Sequence, residues 1–275
     1  MCVRYTPHPR RPAQRDKRLT KVWLLTAALL STAGGQQRAQ ADDDRSHVSV
    51  GLGVRLMQTR EELIRPLGFA GPGGELRGAY QRHARGWLSL TRVALGGDYV
   101  RERYGHGALA LHLDLSSILA HRVCEQGNHV IHVGASLVAQ YTPVYYFSWD
   151  EEHLFWALNY DLGPAARWDL TIDSYNRVSV ELSVPVLGLV SRPAARRLNK
   201  VDNLTNVGFW LGEPHEHLRL TSLHAYLAVR LRAYYVHQLT PGFSLRFEYE
   251  LGYRRIAFPE PLQLLEQVLV AEAVL

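Results

Sequence analysis

The stretch FSLRFEYELGY, Phe243 to Tyr253, changes character at every residue. A strand turns successive side chains to opposite faces, so Phe243, Leu245, Phe247, Tyr249, Leu251 and Tyr253 share one face. Ser244, Arg246, Glu248, Glu250 and Gly252 share the other. Two environments fit this pattern. In a water-soluble sheet the apolar face is core and the charged face is wet. In a membrane barrel the apolar face meets lipid and the charged face lines the lumen. The rest of the chain has to choose between them.

The N-terminus bears on location. Arg10, Arg11, Arg15, Lys17, Arg18 and Lys21 precede the apolar run VWLLTAALLSTA, Val22 to Ala33, and AQA follows at 39–41. A basic opening, a short apolar run and an A-x-A site make a secretory signal peptide. The run is well short of the roughly 20 apolar residues a helical span needs. The expected organisation is a signal peptide over 1–41 and one barrel domain over 42–275. Removing the signal takes away eight Lys/Arg and one Asp, leaving 23 basic and 25 acidic residues and a net charge of −2. The basic balance therefore belongs to the export segment, and no nucleic-acid partner is expected. Cys124 remains as a single cysteine, which excludes an intrachain disulfide framework.

Alternation of period two recurs after Asp42. HVSVGLGVRL sets Val48, Val50, Leu52, Val54 and Leu56 against His47, Ser49, Gly51, Gly53 and Arg55. ALALHLDLSS, HVIHVGASLVAQY, HLFWALNYDL, RVSVELSV and SLHAYLAVRLRAYY repeat the pattern. No amphipathic helix follows the signal, so the chain reads as all-β. Strands are expected near 47–57, 75–85, 87–97, 107–119, 129–140, 153–162, 166–175, 177–188, 204–212, 218–236, 243–254 and 263–275. That is about twelve, with ten as the alternative. The region 177–220 breaks the alternation of short and long connections, and LGPAA at 162–166 reads as a turn.

The face opposite the Leu/Val rows is a sparse mixture of Gly, Ala, Ser and His with occasional charge. A soluble sandwich or lipocalin-like barrel would place a dense polar surface there. Small residues such as Gly51, Gly53, Ala108 and Gly134 suit a crowded barrel interior. Aromatics cluster near strand ends at Trp87, 145–149, Trp168, Trp210, Tyr234, Tyr235 and Tyr253–Phe258, as interfacial girdles do. On these alternating strands, on the girdles and on PLGFAGPGGELRGAY at 66–80, the chain resembles Gram-negative outer-membrane β-barrel proteins. The resemblance implies a single antiparallel transmembrane β-barrel in the cell outer membrane, an even strand number and both termini in the periplasm. It implies outer-membrane lipid and the barrel-assembly machinery as partners.

Chemical motifs are scarce. There is no G-x-S-x-G, H-E-x-x-H, C-x-x-C or phosphate loop, and neither cofactor nor metal is expected. His215 and His217 in EPHEHL share a strand face if that segment is extended. The weak catalytic candidates are His112, Asp114 and Ser136, adjacent if 107–119 and 129–140 form a hairpin. The His47-x-Ser49 pair is a further weak match to lipid-hydrolysing barrels. Arg230, Arg232, Arg246, Glu248 and Glu250 are the expected lumen-lining residues. The expected function is a structural or small-solute pore role with a side-chain-lined lumen. An outer-membrane lipid hydrolase (phospholipase or lipid A deacylase-like) and a soluble periplasmic lipid-binding barrel are the alternatives.

Overall fold

In a computed structural model, residues 45–62, 68–147, 153–193, 212 and 214–275 are described. The expected signal segment 1–41, most of the expected strand at 204–212 and Trp210 lie outside them. Twelve strands follow in chain order: β1 Arg45–Glu61, β2 Gly68–Ala84, β3 Trp87–Arg101, β4 Gly107–Gln126, β5 His129–Tyr146 and β6 His153–Thr171. Then come β7 Asn176–Ser183, β8 Leu187–Ser191, β9 Arg219–Ser222, β10 Tyr226–Thr240, β11 Phe243–Ile256 and β12 Leu262–Val274.

Ten of these close a ring of antiparallel pairs. Each of β1 to β6 pairs with its sequence neighbour, β7 joins β6 to β10, and β10, β11 and β12 lead back to β1. The last pairing runs from Ser49 opposite Val274 to Glu61 opposite Leu262. Closure leaves none of these ten strands as a free edge, the condition for backbone to sit in hydrocarbon. β8 lies outside the ring of pairs, on the Leu158–Leu162 part of β6, and β9 pairs with β8.

The irregular region has a simple cause. β7 and β8 both run antiparallel to β6, and they are interrupted at Val184–Val186, around Pro185. Proline cannot donate to a ladder, so it breaks the strand. The segment read as a turn, LGPAA, is instead mid-strand in β6: Pro164 sits opposite Ala135. The expected strands at 153–162 and 166–175 are thus one strand. Gly163 is required there, because a Cβ would stand 2.3 Å from the Val184 carbonyl oxygen and 2.5 Å from the Pro185 Cα. With β7–β8 and β9–β10 each taken as one broken passage, short and long connections alternate around the barrel.

The short connections are tight turns at one end of the barrel, called here the turn end. Arg85 and Gly86 both have positive φ, 50° and 81°, the signature of a two-residue type I′ hairpin. Pro241 precedes Gly242, whose φ is 93°, as a type II turn demands. The first residues of β1 and the last of β12 lie at this end, with Val48 and Leu275 exchanging backbone hydrogen bonds at 3.0 and 2.8 Å. The longer connections leave the strands at the opposite, loop end, after Glu61, Arg101, Tyr146, Ser191 and Ile256.

Candidate functional site

The two faces of the wall decide the opening ambiguity. Along β11, Arg246, Glu248, Glu250 and Arg254 are buried, whereas Phe247 and Tyr249 are exposed. Around the ring Leu52, Val54, Leu95, Leu113, Leu137 and Leu269 also point outward and are exposed. Leu52 shows 71% of its surface, while Arg77, inside, shows 3%. A water-soluble protein has the opposite arrangement, with charge outside and aliphatic rows inside. The fold is a transmembrane β-barrel. Aromatics border its apolar wall: Trp87 and Trp168 pack on His121 and His129 at 4.9 and 5.8 Å toward the turn end. Tyr145 packs on Phe147 at 5.0 Å toward the loop end. Two expected girdle residues point inward instead, since Tyr234 and Tyr146 are both buried.

No protein-family model matches the chain, and neither does any curated protein. Solved structures with a similar backbone path are outer-membrane barrels. The outer membrane protease OmpT of Escherichia coli aligns at 6% identity over 87% of this chain and 98% of its own, with a TM-score of 0.48. The translocator domain of autotransporter NalP from Neisseria meningitidis aligns at 8% identity over 92% and 96%, with a TM-score of 0.45. The transport unit of the autotransporter AIDA-I from Escherichia coli gives 6% identity, 92% and 96% coverage, and a TM-score of 0.42. The membrane assignment rests on the chain's own two faces.

The candidate site is the lumen, which has three levels. At the loop end an apolar cluster fills it, including Met57, Phe69, Tyr146, Phe155, Tyr226 and Ile256. Phe69 meets Tyr146 edge-on at 5.3 Å, and Tyr146 meets Phe155 at 5.8 Å. Arg192 closes over this plug, donating to the Glu61 carboxylate, the Glu260 carbonyl and, at 3.0 Å, the Phe258 carbonyl.

The middle level is a mesh of guanidinium and carboxylate groups. Arg55 reaches Glu75 at 2.6 Å, Glu266 at 3.2 Å and Asp98 at 3.4 Å. Arg77 holds Glu75 at 2.5 Å and Glu250 at 2.9 Å, and contacts Glu248. Arg232 binds Glu181 at 2.9 Å and Glu250 at 3.0 Å. Arg92 is bidentate on Glu181 at 2.7 and 3.1 Å. The guanidiniums of Arg92, Arg167 and Arg246 lie 5.4, 5.6 and 5.7 Å from the Tyr234 ring centre, and the Tyr234 hydroxyl donates to Glu181 at 3.0 Å. A charge withdrawn from water is tolerable only when paired and hydrogen-bonded, and here each arginine has its carboxylate.

The expected lumen residues sit in or beside this mesh. Arg230 donates to Asp114 at 2.8 Å and pairs with Glu250 at 3.1 Å. Arg246 donates to Ser49 Oγ at 2.8 Å and pairs with Glu272. The catalytic candidates are not brought together. The β4–β5 register puts Ser136 opposite Ile118, so His112 faces Thr142, about 20 Å farther along the strand at roughly 3.4 Å per residue. His112 Nε2 lies 2.5 Å from Asp98, Asp114 is engaged by Arg230, and Ser136 donates to the Gly163 carbonyl at 3.4 Å. His215 and His217 share no strand face: 214–216 form a helical turn, and His215 Nε2 is 2.7 Å from Tyr160 Oη. Asp98, Glu75, Arg92, Glu181 and Glu266 were not singled out from the sequence. Glu75 and Glu181 carry a signal, as each occupies the polar face of an alternating run, whereas Arg92, Asp98 and Glu266 share their inward faces with Leu88, Leu90, Val100, Leu264 and Val268, which masks them.

At the turn end the lumen widens into a mouth. Two cavities of about 300 and 360 Å³ open there and share Arg45, His47, Thr171 and Arg177. Arg167 crosses below them, donating to Asp169 at 2.9 Å, while Ser179 donates to Asp169 at 2.5 Å.

Proposed function

We propose that the chain is an integral outer-membrane β-barrel whose lumen is sealed by its own side chains. It serves as a membrane-embedded structural element and not as an open general pore. The observation that carries this reading is the mid-lumen mesh. The cavity beside Arg77, Arg92, Arg232 and Glu250 measures about 20 Å³, the order of a single water site. The apolar plug beneath the loop end is a second seal in series. A small solute passes only if both layers part.

The signal-like segment 1–41 supports export, with Asp42 as the mature N-terminus, and the turn end then faces the periplasm. A chain that crosses with strands is expected to use the barrel-assembly machinery. An exposed Leu/Val wall disfavours a soluble lipid-binding barrel, and the separation of His112 from Ser136 disfavours the hydrolase built on them. Reconstitution in planar bilayers tests the reading. The expected record has no stable unitary conductance. Steady ohmic steps from the purified protein would replace the sealed element with a solute pore.

A further inference from the structure

Inward arginines of this barrel follow a rule. Arg77, Arg92, Arg167, Arg230, Arg232 and Arg246 each lie against at least one carboxylate. Arg45 and Arg177, exposed at the turn-end mouth, stand outside it. Arg45 and Arg177 point into the cavities, and among the described residues neither is held by a hydrogen bond or ion pair. Among the described residues, the nearby carboxylates are already engaged. Asp169 is taken by Arg167 and Ser179, Glu125 by Arg122 at 2.6 Å, Glu272 by Arg246, and Asp173 by its own turn. Arg45, Arg177 and Arg246 all act electrostatically on His47, so their fields converge on one place. Leu275 lies at the rim of the first cavity.

We propose that this mouth binds a phosphoryl-bearing anion, with Arg45 and Arg177 as cationic clamps and His47 as a further donor. Two planar guanidinium forks suit a dianionic group with several oxygens, which each can engage through paired N–H donors. The cavities, about 300 and 360 Å³, have room for more than a single phosphate. The phosphoryl group can belong to a soluble anion or to a lipid headgroup at the barrel rim. The site depends on the barrel fold and not on whether the lumen conducts.

Calorimetric titration of the folded protein with pyrophosphate, in uncharged maltoside micelles, tests the site. The parent binds, and Arg45→Ala/Arg177→Ala weakens binding at least tenfold. Arg60→Ala, which removes an exposed arginine at the loop end, binds as the parent does. Mobility of unboiled samples on gels verifies that each variant is folded. Adding phosphatidylglycerol to the micelles separates the sources: displacement of pyrophosphate, absent with phosphatidylcholine, assigns the site to a headgroup, and no displacement assigns it to a soluble anion. No heat with the parent, equal affinity in the double variant, or the same loss in Arg60→Ala would overturn the proposal.

Discussion

Arg232 on β10 stands directly across the ladder from Glu250 on β11, Nε to Oε2 at 3.0 Å, with both side chains inside the wall. Glu250 also takes Arg77 at 2.9 Å and Arg230 at 3.1 Å, so one carboxylate ties three strands together. Losing either partner strands a buried charge, at a cost of about 3–5 kcal/mol. Arg232→Ala and Glu250→Ala should therefore be non-additive, with a coupling of about 1–3 kcal/mol in denaturant unfolding of the reconstituted barrel. Additive losses would mean that the pair contributes separately.

The two faces of the wall give a second expectation. In a Cys124→Ser background, a spin label at Leu52→Cys should collide with oxygen, which concentrates in lipid. A label at Ser244→Cys, on the inward face near the turn-end mouth, should collide with a water-soluble nickel complex instead. Reversed accessibilities would turn the barrel inside out. In the same frame Phe247→Arg, on the lipid face, should cost about 2–4 kcal/mol if it lies near the bilayer midplane.

Gly163 offers a steric test. Gly163→Ala drives a methyl into the Val184 carbonyl, 2.3 Å from the ideal Cβ position, and should lower the yield of folded barrel. Gly74→Ala serves as the contrast, since its nearest neighbour is the Gly53 carbonyl oxygen at 3.6 Å, an ordinary contact. Equal yields of the two variants would show that the break at Val184–Pro185 does not press on β6.

Asp173 supplies a pH dependence outside the membrane. The Asn176 side chain, then the Tyr175 and Asn176 backbone amides, hold its carboxyl below the usual range. A group whose folded pKa is depressed contributes stability above its unfolded value, about 3.9, and loses it as pH falls through the folded value. Protection of the Tyr175 and Asn176 amides, taken as the intrinsic exchange rate over the observed rate at each pH, should fall in that acid window. In Asp173→Ala it should be low at every pH.

Much of the barrel was legible because a two-residue period is a local property. Phe247 and Glu248 reveal opposite faces without any knowledge of their neighbours. The environment of each face was a global matter, and it turned on small inward residues and on the apolar character of the other face. Pro164 reads as a turn in the sequence because its context is a second proline, Pro185, in the break between β7 and β8. The mesh was invisible for a similar reason: Arg77 and Glu248 are 171 residues apart, and only barrel closure joins them. The adjacency of His112 and Ser136 failed on register. The turn at 127–128 and the bulge between Arg122 and Cys124 fix which residues oppose each other, and alternation alone carries no such count.

The pairing of β1 with β12 also gives the barrel a history. In an unclosed wall the β1 edge is bare, and thirteen ladder positions of that edge wait for β12. Until β12 arrives, neither β1 nor β11 has its second neighbour, and hydrocarbon cannot satisfy the open donors and acceptors. The β1–β12 pairing is therefore what completes the wall, and the mesh of charges is sealed from water only in the closed barrel.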